Sequence, residues 1–127
     1  MANRLVESSA ASAMEKMMRE IKSAEAINPG LSSLGTNPGV LALSGINEGE
    51  VYELVFDTSG GILRVSKDGG PVGNLTSSAV TVSDLIFEHI VNENSEGVHI
   101  TLELQTVYGN EVKNLRLTNF AVIRGSY

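Results

Sequence analysis

Hydrophobic and polar positions change period once along this chain. At the N-terminal end, apolar residues recur at helical spacing. Val6, Ala10, Ala13, Met14, Met17, Ile21 and Ala24 fall on one stripe at 100° per residue. Glu15, Lys16, Arg19 and Lys22 lie on the far side, with Glu15 four residues ahead of Arg19, the favourable order for an ion pair. The spacing predicts a helix over 2–27, roughly 39 Å long at about 1.5 Å per residue. Asn28-Pro29-Gly30 ends it, because proline cannot continue the hydrogen-bond ladder and disfavours helical backbone before it. Met14, Met17, Ile21 and Ala24 are the face expected to pack on a core, while Leu5 points away from that stripe.

Beyond a polar loop over 28–39 the period shortens to that of strands. Apolar and β-branched runs occur at Val40–Leu43, Val51–Phe56, Ile62–Val65, Leu85–Val91, Val98–Tyr108 and Val112–Ile123. In the second run Tyr52, Leu54 and Phe56 alternate with Val51, Glu53 and Val55. "DTSGG" (57–61) and "SKDGGPVGN" (66–74) are turn-rich, and their glycines can supply positive φ. "NENSEG" (92–97) joins two runs whose apolar sets are Leu85, Phe87 and Val91, then Val98, Ile100, Leu102 and Leu104. Strands at this spacing without intervening helices predict an antiparallel meander. The expected fold is α+β: one domain over 1–127, its long N-terminal helix packed on an antiparallel sheet over 40–124.

Composition narrows function mainly by exclusion. Fifteen acidic against nine scattered basic residues leave a net charge of −6, which argues against a nucleic-acid surface. With no cysteine, thiolate metal sites and disulfides are excluded. No run of 18 apolar residues is present to span a bilayer. The two histidines, His89 and His99, fall on opposite faces in the register that aligns the apolar sets, so a shared site is not expected. No serine sits in a nucleophile-elbow context, and the glycine pairs at 60–61 and 69–70 lack the helix and lysine of a phosphate loop. No catalytic residue, cofactor or resident metal is expected. Asn92, Glu93, Asn94 and Glu96 are oxygen ligands that could hold calcium, but their spacing is not that of an EF-hand and a solvated hairpin tip is the preferred reading. The tripeptide Asn74-Leu75-Thr76 matches a glycosylation sequon, a pattern common by chance. Glu48, Glu50 and Glu53 read as a solvated strand entrance.

In element order the chain resembles the soluble part of type IV pilin-like proteins, most closely minor pseudopilins and minor pilins. The stretches that carry this are "RLVESSAASAMEKMMREIKSA", "LTSSAVTVSDLIFEHI" (75–90), and "VHITLELQTVYG" with the later "FAVIRG". The leader, cleavage site and apolar half-helix diagnostic of that group are missing from this sequence, as is the glutamate that drives its assembly. The resemblance implies that an upstream apolar half-helix is lacking and that assembly contacts begin at Leu5 and Val6. It further implies a structural subunit of a type IV pilus or type II secretion pseudopilus, with other such subunits as partners. An inner-membrane anchor in the bacterial envelope, with this domain periplasmic or extracellular, follows from the same likeness. The alternative is a β-rich extracellular binding or adhesion module with no filament role.

Overall fold

The computed structural model describes residues 2–28, 30–70, 72–76, 80–93, 95–108 and 110–123, with side chains from residue 7 onward except those of Asn47, Val72 and Tyr108. One helix, α1 (Ala2–Ser23), is followed by eight strands: β1 (Ala26–Ile27), β2 (Leu41–Asn47), β3 (Glu50–Ser59), β4 (Ile62–Lys67), β5 (Val72–Asn74), β6 (Thr81–Val91), β7 (Glu96–Tyr108) and β8 (Glu111–Val122). They form two antiparallel sheets, one ordered β1-β2-β3-β4-β5 and the other β6-β7-β8. This overturns the expected α+β fold with its long helix on a single sheet: the protein is mainly β, with two sheets and one helix among the described residues. Alternation along a strand locates it but does not name its neighbour, so a split into two sheets left no mark on the hydrophobic pattern. The pilin-like architecture is withdrawn with it.

The helix also ends earlier than residue 27. Where the chain leaves α1, the Glu25 N–H donates to Ser44 O and the Asn28 N–H to Ala42 O, each at 2.8 Å. Ala26 and Ile27 are thereby drawn into pairing with Ser44 and Leu43 of β2. Good helix propensity at Glu25 and Ala26 is overridden by these tertiary hydrogen bonds. The helix occupies about 33 Å at roughly 1.5 Å per residue, and the ion pair on its surface is Lys16 to Glu20, at 2.8 Å.

The α1 stripe is covered by β7 and β8. Ala10, Ala13, Met14, Met17, Ile21 and Ala24 are all buried, in one cluster with Leu41, Leu43, Leu54, Phe56 and Leu63 of the five-stranded sheet and Leu85, Phe87, Ile100, Leu102 and Leu104 of the three-stranded one. In the latter, Phe87 faces Ile100, Leu85 faces Leu102, and Leu104 faces Leu115. The register of β6 against β7 shifts between Val82 and Asp84. Such a bulge leaves Ser83 as the extra residue. A strap from the 33–39 loop seals the β6 edge: the Gly35 N–H donates to Phe87 O and the Gly39 N–H to Leu85 O, both at 2.7 Å. A Cβ at Gly39 would sit 3.0 Å from Phe87 and 3.1 Å from the Leu85 carbonyl, so the strap lies this close because glycine is there.

Two hairpin turns of the five-stranded sheet carry positive φ at both central residues: Glu48 and Gly49 between β2 and β3 (52° and 84°), then Gly60 and Gly61 between β3 and β4 (59° and 80°). This is the type I′ pattern, whose twist matches that of the flanking strands. Asp68 and Gly69 after β4 repeat it at 54° and 72°.

Candidate functional site

The inner side of β2 and β3 continues past the core beneath the C-terminal half of α1. Leu43 faces Leu54 there, and one step further Gly45 faces Tyr52. A Cβ at Gly45 would fall 2.5 Å from Cζ and Oη of Tyr52. The tyrosine ring therefore lies across bare backbone, a glycine–aromatic pairing that leaves its outer face free. Over that ring stands the Lys67 ammonium, 4.9 Å from the ring centroid, within the range of a cation–π contact. Helix and sheet diverge around this pair to leave a groove of about 370 Å³, lined by Lys16, Glu20 and Ser23 of α1 and by Ile46, Tyr52, Leu54 and Lys67 of the sheet. A smaller hollow of about 90 Å³ adjoins it, bordered by Glu50, Val51, Tyr52, Lys67 and Asp68. Ile46, 56% exposed, borders the groove and its cross-strand partner Val51, 74% exposed, borders the smaller hollow; strand alternation turns this pair to the face opposite Tyr52 and Leu54.

None of this was singled out in the sequence. In the sequence Tyr52 shows only its alternation parity with Leu54 and Phe56, which does not set it apart from them. The available signal was a glycine in the facing strand, but recognising it needs the register of β2 on β3.

A second polar assembly lies on the outer face of the three-stranded sheet. Arg116 donates to Asp84 Oδ2 at 2.9 Å and to Glu103 Oε2 at 3.3 Å. These hydrogen bonds, that to Asp84 first, hold the guanidinium pKa above its ordinary value. The Asn37 amide donates to Asp84 Oδ1 at 2.7 Å, its oxygen accepts from the Leu85 N–H at 3.0 Å, and the Ser83 hydroxyl donates to Glu103 Oε1 at 3.0 Å. The set ties the strap to β6, β7 and β8.

The residues picked from the sequence fall elsewhere. Met14, Met17, Ile21 and Ala24 are buried under α1. The side chains of Leu5 and Val6 lie outside the described residues. In the loop with calcium-ligand chemistry, Asn92 and Glu93 are exposed, Asn94 lies outside the described residues, and Glu96 pairs with His89 Nε2 at 3.3 Å. His99 Nδ1 pairs with Glu88 at 3.5 Å. His89 is opposite Val98 and His99 opposite Glu88, so the histidines point to opposite faces. No group of three or more His, Asp or Glu side chains among the described residues is arranged to hold a metal ion. The hydroxyl of Thr76, third residue of the sequon, is buried and accepts from the Leu63 N–H at 3.1 Å. Among the described residues no helix is long and apolar enough to cross a membrane.

No protein-family model matches the chain, and neither a curated protein nor a solved structure does. The resemblance to pilin-like subunits has no support from these comparisons, and the two-sheet architecture stands against it.

Proposed function

We propose that this protein is a non-catalytic binding module, a β-rich scaffold that holds a segment of a partner protein along the groove between α1 and β2–β3. The observation that carries this reading is the groove itself, with the Tyr52 ring laid across Gly45 as its floor and α1 as its opposite wall. The groove volume falls in the range of binding clefts, about 300–1,000 Å³, and its floor is a tyrosine, a residue enriched where proteins meet. The ionisable side chains support the same reading. Arg64 pairs with Asp57, Lys113 with Glu111, Arg116 with Asp84 and Glu103, and each histidine with a glutamate, dispersed over both sheets. Groups dispersed in this way serve the surface and do not form a nucleophile–base pair.

Peptide display against the purified chain, counter-selected on a Tyr52→Ala variant, tests the proposal. Binders should be enriched on the natural chain and lost on the variant, and Lys67→Glu, an exposed change, should weaken the same binders with an unaltered melting temperature. A selection that returns no binder, or only binders indifferent to both substitutions, overturns it.

A further inference from the structure

Three of the four sheet edges are short or covered. β1 and β5 offer 2 and 3 residues, and the strap covers β6 through Gly35 and Gly39. The remaining edge, β8, is 12 residues long, and among the described residues no strand pairs with its free side. Its backbone can be assigned residue by residue. The Ile123 N–H donates to Glu96 O at 2.9 Å, one step beyond the Gly97–Val122 pair. Opposed pairs alternate in bonding along an antiparallel ladder, so odd-numbered β8 residues bond to β7 and even-numbered ones turn N–H and C=O outward. Asn119 agrees with this: its side chain accepts the Phe120 N–H at 2.8 Å, a donor that β7 leaves free. The charges of the strand are held within the chain. Arg116, at mid-strand, reaches back across its own sheet to Glu103 of β7 and Asp84 of β6, and Lys113 pairs with Glu111.

We propose that β8 pairs antiparallel with β8 of a second copy of the chain, about a two-fold axis at Arg116, so that two three-stranded sheets become one. In that register Val112 meets Phe120 across the axis on the outer face, and both are exposed in the single chain. Aliphatic and aromatic side chains opposed in this way stabilise a sheet. On the face toward α1, Leu115 meets Leu117, both only partly buried against the core. Asn114 meets Thr118 and Lys113 meets Asn119, polar with polar. Arg116 meets its own copy, but each guanidinium is turned away toward two carboxylates. An axis at Leu115 would set Lys113 on Leu117, and one at Leu117 would set Asn114 on Phe120, so the pattern selects Arg116. This match of the strand with itself commits the edge to a second copy, since an unrelated strand has no reason to reproduce it. The joined sheet ends on a strap-covered β6 at either side, so the pairing closes at two copies and does not propagate. No β8 residue lines the groove, and the inference stands apart from the binding-module reading.

Sedimentation and amide exchange of the intact chain test the proposal. The natural chain should pass from monomer to dimer as its concentration rises, because one strand from each copy is a small contact beside a standard interface of about 1,600 Å². In the dimer the amides of Val112, Asn114, Arg116, Thr118 and Phe120 should exchange about ten-fold more slowly than on dilution, with their odd-numbered neighbours unchanged. Thr118→Pro removes an outward N–H and no bond to β7, a change that an edge strand tolerates. It should leave the circular dichroism as it was and hold the chain monomeric. Should the proline variant fail to fold, Val112→Lys decides: this exposed change should weaken the dimer with the fold intact. A natural chain that stays monomeric throughout overturns the proposal, as does a dimer that is indifferent to the folded variants. Even-numbered amides already slow in the monomer would put another segment of the same chain on the edge, and overturn it too. So would acetyl-Thr-Val-Thr-Val-Thr-amide slowing them as much as self-association does, which would make the edge a site for any strand.

Discussion

The two sheets keep their register by different means. In the five-stranded sheet the strands shrink toward both edges, to 2 residues in β1 and 3 in β5. Its successive hairpins turn on left-handed residues: Glu48-Gly49, Gly60-Gly61 and Asp68-Gly69. In the three-stranded sheet the strands run 11, 13 and 12 residues, and facing apolar pairs repeat along one side beneath α1. A slip of one residue there would turn every inner side chain to the outside. The comparison teaches that register can be stored in the backbone of a turn or in the side chains of a face. Binding, in our reading, is placed at the end of the first kind, where a turn holds two strands in register beyond the reach of the core.

The largest expected effect tests the packed side. Phe87 is fully buried, with the strap close against its ring, in the core that both sheets share, so Phe87→Ala should destabilise by about 3–5 kcal/mol in chemical denaturation. Because both sheets share one core, the loss should appear as a single transition by fluorescence and by circular dichroism. Separate transitions would show that the sheets are independent and would break the comparison into two proteins.

A pair of glycine substitutions sharpens the contrast. A Cβ at Gly97 would meet the Ala121 carbonyl at 2.6 Å and the Phe120 ring at 2.5 Å. Backbone cannot move aside as a side chain can, so Gly97→Ala should lose about 1–3 kcal/mol, the range for overpacking. At Gly49 a Cβ would meet nothing within 4 Å, and the only strain is φ at 84°. Gly49→Ala should therefore lose about 1–2 kcal/mol, from left-handed backbone alone. A neutral Gly49→Ala would show that the β2–β3 turn does not store the register.

How much of this could be read from the sequence follows the same division. The apolar alternation of Leu85 and Phe87 with Ile100, Leu102 and Leu104 is visible because packing demands it, and in the structure Leu85 faces Leu102, Phe87 faces Ile100 and Leu104 faces Val82. The turn glycines Gly60, Gly61 and Gly69 were equally legible, since positive φ selects residue type; Asp68, which shares the last turn, was not. Ala26 and Ile27 were not: two residues hold no period, and their strand exists only because β2 offers carbonyls. Val72-Gly73-Asn74 is too short and too glycine-rich to show alternation. The groove was hidden for a related reason, since Tyr52 becomes a floor only once Gly45 is opposite it and Lys67 is one strand over.

The smallest expected effect is on the outer face. Arg116→Ala removes a half-exposed guanidinium from Asp84 and Glu103, and the change in melting temperature should be slight. Hydrogen bonds to those carboxylates raise the arginine pKa. A raised pKa means the contribution is present below the unfolded-state value and lost only as pH climbs through the folded one, in strong alkali. The difference between the natural chain and the variant should therefore be flat across neutral pH. A steep neutral-pH dependence would show that the network does something other than pin the strap.

The packing of α1 against β7 and β8 has a consequence for synthesis. The helix leaves the ribosome before the strands that cover it, with all of the five-stranded sheet in between. At translation rates of about 5–20 residues per second, its methionine and isoleucine stripe stays uncovered for on the order of ten seconds. During that interval the chain offers any chaperone an amphipathic helix of 22 residues. Vectorial folding cannot shorten the wait, because the nearest neighbours in space are among the most distant in the order of emergence.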